Sequence, residues 1–210
     1  MTERQVPLVV IRRLPRYHRY LGELLNNKIY RVSSTELSRK MGVTASQIRQ
    51  DLNYFGGFGQ QGYGYNVDSL RNEIAEILGM HKGHTAIILG VGNLGRALME
   101  NFHFDHSGVQ LTAAFDISPE IIGRQISGVE VYPLDKLDGY LKENPTSIGI
   151  LTVPKSTAAE LSERLVGNGV KGIWNFTNTE LSISAPGVIV ENVHFSDSLL
   201  TLSYLISEAL

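Results

Sequence analysis

The residues Gly90-Val91-Gly92-Asn93-Leu94-Gly95 have the G-x-G-x-x-G spacing that lets a backbone approach a diphosphate. They follow Thr85-Ala86-Ile87-Ile88-Leu89, an apolar run that reads as a buried parallel strand, and precede Arg96–Phe102, a helix-compatible segment. In that setting Gly90 allows a tight turn, Gly92 admits a pyrophosphate, and Gly95 lets the helix pack closely on the strand. The phosphates would meet unpaired N–H groups at the positive end of the helix. A second strand, Val109–Phe115, ends at Asp116, 21 positions beyond Gly95. A carboxylate there accepts hydrogen bonds from a ribose 2′-hydroxyl and repels a 2′-phosphate, which favours NAD(H) over NADP(H). Arg124 is too far along the chain to argue for a phosphate. A glycine turn that merely joins strand to helix is the alternative, and the register of strand, helix and acid weighs against it.

A second set of residues points to a polyanion. Residues 1–65 hold ten Lys/Arg against four Asp/Glu, a net of +6, whereas residues 66–210 hold nine against seventeen, a net of −8. Ser33-Ser34-Thr35-Glu36 is a capping box that opens a short helix ending at Met41. Gly42-Val43 turns the chain, and Thr44-Ala45-Ser46-Gln47 is a second box opening a helix through Tyr54. A longer first helix is expected from Pro15 to about Asn26, with Tyr17, Tyr20, Leu21, Leu24 and Leu25 at helical spacing. Two short helices after a longer one form a helix-turn-helix. The Gly- and aromatic-rich stretch 55–65 reads as a β-hairpin with Phe58, Tyr63 and Tyr65 packed inward, completing a winged helix. Ser46, Gln47, Arg49 and Gln50 would then face a DNA major groove, with Tyr54 and Arg12 counted beside them. Gln60 and Gln61 at the wing tip would reach backbone or minor groove. A helical scaffold that binds another protein is the competing reading.

These elements place the chain in the α/β class: an N-terminal winged-helix domain (1–80), a Rossmann-like doubly wound parallel sheet (81–193), and a C-terminal helix (194–210). A helix over 67–78 precedes a linker whose histidines, His81 and His84, lack the partners a metal site needs. Strands are expected at 128–132, 147–153, 172–176 and 188–193, with helices at 134–141 and 156–166. Ligands bind such sheets at the carboxyl ends of strands, so Thr152, Val153, Pro154, Asn175, Phe176 and Thr177 are candidate pocket walls. The final helix is too apolar to lie on the surface of a small monomer and suits a second subunit. There are no cysteines, which excludes disulfides and thiol chemistry. No apolar run reaches membrane-spanning length and no signal-like start is present, so a cytoplasmic protein is expected.

The strings Val43–Gly56, Gly62-Tyr63-Gly64-Tyr65, Gly90–Gly95, Asp116, Leu151-Thr152-Val153-Pro154 and Glu191-Asn192-Val193 together resemble the Rex family of bacterial redox-sensing transcriptional repressors. The resemblance covers essentially the whole chain. It implies a homodimer that exchanges its C-terminal helices, binds inverted-repeat operators when NADH is low, and is released by NADH. It also implies that Phe195 reaches the partner's nicotinamide pocket and that Arg19 pairs across the dimer. Several positions depart from the family pattern. Gln50 stands where lysine is usual and Gln60-Gln61 where the wing tip is basic, which implies weaker salt-dependent affinity or a shifted operator preference. Asn101 stands where many members have tyrosine, and His194 where they have aspartate. Asp197 could supply the missing carboxylate, or His194 could make the switch pH-sensitive.

Two other classes compete. A dehydrogenase needs a substrate domain and a general acid/base, and His194 is its one candidate base. A CoA-binding module on the same fold fits the glycines but not the winged helix. The regulator reading, with no catalytic residue, is preferred.

Overall fold

The computed structural model describes residues 6–56, 59–60 and 63–209, with 59 and 60 described by their backbone. The chain separates into two compact units, Met1–Lys82 and Gly83–Leu210. The boundary falls after Lys82 rather than after residue 80. His84 already belongs to the sheet, its N–H donating to the Gly108 carbonyl at 3.1 Å.

The first unit runs α1 (Leu8–Ile11), α2 (Leu14–Asn26), β1 (Arg31–Val32), α3 (Ser34–Met41), α4 (Ala45–Asn53), β2 (Gly59–Gln60), β3 (Gly64–Asn66) and α5 (Val67–Ile77). Pro15 sits in the first turn of α2, where its missing N–H costs nothing. Leu14, Tyr17 and Leu21 of α2 meet Leu37 of α3, Ile48 and Leu52 of α4, and Leu70 and Ile74 of α5 in one core. The Ser33 box is complete: its hydroxyl accepts from the Glu36 N–H at 3.1 Å, and Glu36 accepts from the Ser33 N–H at 2.7 Å. Gly42 ends α3 in the left-handed conformation, φ 68°. The Thr44 box is only half formed. Thr44 accepts from the Gln47 N–H, but the Gln47 side chain turns away to Asp51.

The wing is a three-stranded antiparallel sheet in the order β1-β3-β2, one strand more than the expected hairpin. A two-residue strand is too short to show periodicity in a sequence. Gly64, at φ 70°, makes the pairing possible, because a β-carbon there would lie 2.6 Å from the Val32 carbonyl. The same kink explains a correction. Tyr65 is buried, but Tyr63 is 69% exposed, because the left-handed residue between them breaks the alternation that would put both on one face. Tyr63 instead lies 6.0 Å from the Arg31 guanidinium. Phe58 lies outside the described residues.

The second unit runs β4 (His84–Leu89), α6 (Asn93–Asn101), a 3-10 turn (Phe104–Ser107), β5 (Val109–Asp116), β6 (Gln125–Ile126), β7 (Val129–Pro133), a 3-10 turn (Leu134–Lys136), α7 (Leu137–Glu143), β8 (Ile148–Leu151), α8 (Lys155–Gly167), β9 (Gly172–Asn175), β10 (Ile189–Asn192) and α9 (Phe195–Ala209). Its sheet order is β10-β9-β8-β4-β5-β7-β6, parallel except for the short β6 against β7. The chain builds outward from β4 through β5 to β7, then returns to lay β8 on the other side of β4. That reversal makes the gap between β4 and β8 the topological switch point. Alternate residues of β4 feed opposite faces, Ile87 and Leu89 one core and Ala86 and Ile88 the other, which is why the strand reads as continuously apolar. No residue of α9 is buried, and Leu199, Leu200, Leu202, Leu205 and Ile206 are all exposed.

Replacing Ser33 with alanine removes the hydroxyl half of the α3 box and leaves the backbone N–H of residue 33 to donate to Glu36. Chemical denaturation should show a loss of about 0.5–2 kcal/mol, smaller than for a core truncation.

Candidate nucleotide cleft and nucleic-acid interface

The cleft is built where β4 ends. Gly90 takes φ 92°, and a β-carbon on it would lie 2.8 Å from the Thr152 carbonyl. The Thr152 hydroxyl lies within hydrogen-bond reach of the Gly90 and Leu89 carbonyls, 2.6 and 3.0 Å away, tying β8 to β4 at the switch point. A β-carbon on Gly95 would overlap the Gly90 carbonyl oxygen, so α6 can rest on β4 only without one. Gly92 differs: a β-carbon there would meet nothing within 4 Å, so its face opens on free space. Gly92 is also the N-cap of α6, and no side chain caps that end. The first N–H groups of such a helix have no partner within it, and they fit a diphosphate.

Asp116 holds this turn from the side. One carboxylate oxygen accepts from the Val91 N–H at 2.6 Å, and the other from Ile117 and Ser118 at 2.7 and 2.8 Å. A carboxylate has about four acceptor positions, so three are used and one is left for a ligand hydroxyl. Gly90, Gly92, Asp116, Thr152, Val153 and Pro154 line a cleft of about 300 Å³. Val91, Asn93, Leu94 and Gly95 form the turn and helix start behind it. Sequence reasoning missed Phe115, Ile117, Leu134, Thr157, Glu160 and Leu161, which complete the walls. The signal for the last three was their i, i+3, i+4 spacing at the start of the helix after β8.

Asn175 is not a wall of this cleft. It is buried, and its amide donates to the Thr179 carbonyl and the Asn192 side chain, both at 2.7 Å. Its oxygen accepts from the Thr177 N–H and hydroxyl. Every polar position is spent clamping the 177–181 loop to β10, and neither Phe176 nor Thr177 lines the cleft either. Phe176 belongs to an edge-to-face row with Trp174 and Phe102, and its ring lies 6.1 Å from that of Phe195 at the start of α9.

In the first unit α4 presents Ser46, Arg49 and Gln50 to solvent, with Arg49 also donating to the Ser34 hydroxyl at 3.0 Å. Arg12 is exposed, and Tyr54 is half-buried just past the helix. The backbone of Gln60 lies in β2, its side chain is not described, and Gln61 lies outside the described residues. The buried face of α4 carries a carboxylate that sequence reasoning did not single out. Asp51 is fully buried and receives Arg13 through Nε and Nη2 at 2.7 and 2.6 Å, the Tyr17 hydroxyl at 2.7 Å and the Gln47 amide at 2.9 Å. Burial alone would raise its pKa, but those hydrogen bonds together hold it below the usual carboxylate range.

Of the remaining candidates, Arg19 is exposed on α2, and Asn101 caps its own helix by donating to the Ala97 carbonyl at 3.0 Å. His194 lies 3.4 Å from Glu180, a carboxylate the sequence did not suggest, whereas Asp197 is exposed and touches His194 through its backbone N–H. His81 lies 2.9 Å from Glu76. Among the described residues, no group of three His, Asp or Glu side chains could hold a metal, and no helix is long and apolar enough to cross a membrane.

Known proteins resemble both units. Residues 5–53 match the family described as a putative DNA-binding protein N-terminus, and residues 81–179 match the CoA binding domain. Over 204 residues the chain is 53% identical to the redox-sensing transcriptional repressor Rex of Thermoanaerobacter pseudethanolicus, covering 97% of this chain and 91% of that one. Among solved structures it is similar to RSP in complex with β-NAD⁺ and operator DNA, at 53% identity and TM-score 0.89 over 97% of this chain and 94% of that one. It is equally similar to RSP in complex with β-NADH, at 50% identity and TM-score 0.90 over 98% and 96%.

Two outcomes follow from the geometry. Gly95→Ala should destabilise the second unit by about 1–3 kcal/mol in a denaturant titration, because α6 must lift off β4. The Asp51 carboxyl is more acidic folded than unfolded, so its contribution is full above the ordinary aspartate value of about 3.9 and is lost as pH falls through the lowered native value. Thermal melts of the wild type should therefore lose stability below about pH 4, and Asp51→Asn should remove that component of the acid sensitivity.

Proposed function

Because the chain belongs to the Rex family of redox-sensing transcriptional repressors, we propose that it is a bacterial repressor that binds inverted-repeat operators when NADH is scarce and leaves them when NADH accumulates. The observation that carries this reading is the pairing, in one chain, of the open Gly92 face beside Asp116 with the solvent-facing α4 helix. Relatives at this level of identity have been solved with NAD⁺ and operator DNA, and with NADH. Names of the relatives are those of repressors, which argues against a dehydrogenase. The CoA-type match of the second unit is met by the shared nucleotide-binding fold, and Asp116 beside the glycine turn favours a dinucleotide.

When bound, NAD(H) supplies a nicotinamide ring whose charge and shape change with redox state. The chain's residues do the rest. N–H groups at Gly92, Asn93 and Leu94 hold the diphosphate, and the spare acceptor position of Asp116 takes a ribose hydroxyl and repels a 2′-phosphate. Thr152, Val153 and Pro154 line the site, Gly90 and Gly95 keep its turn closed, and Val91 anchors Asp116. Asn175 acts at one remove, by fixing the loop after β9. On the DNA side Ser46, Gln47, Arg49 and Gln50 of α4 meet the bases. Arg12, Tyr54, Gln60 and Gln61 reach the backbone around them.

An inverted repeat needs two α4 helices related by a two-fold axis, so the working species is a homodimer. The exposed aliphatic face of α9 supports this, since a large apolar side chain gains about 1.5–3 kcal/mol on full burial. In the dimer Phe195 reaches the partner's nicotinamide, and Arg19, Asn101, His194 and Asp197 are the candidate switch residues. NADH shifts the equilibrium only by binding the released form more tightly than the DNA-bound form. A repressor of operator DNA works in the cytoplasm.

Fluorescence anisotropy of a labelled inverted-repeat promoter fragment, at fixed salt, tests the whole reading. NADH should release the protein and NAD⁺ should not. Binding to DNA that ignores both nucleotides would remove the sensing half of the proposal, and no binding to any such fragment would remove the other half.

A further inference from the structure

We propose that Asp51 is a positioning residue for base recognition: it holds the Gln47 amide nitrogen inward, so that Gln47 reads amine-bearing bases and rejects keto bases. This rests on the proposed binding of operator DNA by α4.

The argument starts from the chemistry of a buried, ionised carboxylate. Such a group only accepts hydrogen bonds. Asp51 Oδ1 receives Arg13 Nη2 and Gln47 Nε2, and Oδ2 receives Arg13 Nε and the Tyr17 hydroxyl. Four donors fill both oxygens, and none of the four can be exchanged for an acceptor without setting two lone-pair groups against each other in a water-free site. A free glutamine can turn its carboxamide over and present either the nitrogen or the oxygen. Gln47 cannot, because the flipped form would press its carbonyl on Asp51. Its backbone is fixed as well, the N–H being held by Thr44 at 3.1 Å in the first turn of α4. The side chain is half-buried with its nitrogen bound to Asp51, and Ser46 and Gln50 on the same helix are exposed.

In the major groove adenine N6 and cytosine N4 are donors, whereas guanine O6 and thymine O4 are acceptors. An oxygen held outward therefore meets a partner on adenine or cytosine and a repulsive oxygen on guanine or thymine. Asp51 never touches DNA in this scheme. It acts by removing one of two orientations, and Arg13 and Tyr17 supply the charge and the hydrogen bond that keep it ionised while buried.

Selection from a randomised inverted-repeat library tests this, comparing wild type with Gln47→Ala, Gln47→Glu and Asp51→Asn. Wild type should favour adenine or cytosine at one half-site position by roughly five- to a hundredfold, the span of one good base contact. Gln47→Ala should lose the preference at that position alone. Gln47→Glu, which sets a carboxylate oxygen against Asp51 where the amide nitrogen stood, should lose the preference as well. Asp51→Asn can offer an N–H to a flipped Gln47, and should admit guanine or thymine at the same position. A merely structural role for Asp51 would weaken all positions alike, and that result overturns the proposal. So does a wild-type preference for guanine or thymine at the position that Gln47→Ala relaxes. If Asp51→Asn does not fold, the base that wild type prefers at the position relaxed by Gln47→Ala still decides the orientation of Gln47. Failure of the wild type to select any repeat would instead sink the operator reading.

Discussion

One oxygen atom limits the geometry of the nucleotide-binding unit: the Gly90 carbonyl, against which Gly95 packs with no room for a β-carbon. The Thr152 hydroxyl sits on that same oxygen from the far side of the switch point. Helix α6, strand β4 and strand β8 therefore converge on a point of near contact, and their spacing cannot relax independently. Close packing transmits displacement rather than absorbing it. A ligand that touches the turn at Gly92 or the walls at Val153 and Pro154 thus pushes on a joint with little slack.

The DNA-facing unit is organised by a different kind of constraint. Its core is apolar, but the tie between its first helix pair and α4 is a buried charge with four donors. Removing one partner from such a cluster strands the rest at a cost that an apolar contact would not incur. In return the geometry is specific, since a carboxylate with all its positions filled admits one arrangement. Packing sets position in one unit, and hydrogen bonding sets it in the other.

Much of this was legible in the sequence, for identifiable reasons. The glycine spacing, Asp116 and the Ser33 box each encode a local geometry, and local geometry survives folding unchanged. Asn175 was misread because strand-end position alone does not say whether a polar side chain faces the cleft or the loop behind it. Tyr63 was misplaced because alternation fails across a left-handed glycine. Asp51 carried no signal. Gln47 is one turn away, but Tyr17 and Arg13 lie 34 and 38 residues away in sequence, and only folding brings them to it. The strands β1 and β6, each two residues long, were below the length at which any pattern can be read.

The row of rings on the α6 side of the sheet has a spectroscopic consequence. The chain has a single tryptophan. Trp174 lies edge-on to both Phe102 and Phe176, with ring centroids 5.4 and 4.6 Å away, and Phe176 in turn leads to Phe195 at the root of α9. Indole emission, excited at wavelengths the nine tyrosines do not absorb, thus comes from one place, with one ring between it and Phe195 of the helix whose apolar face is open to solvent. Anything that reseats α9 changes the surroundings of the only indole, so the molecule carries its own unlabelled reporter of that movement.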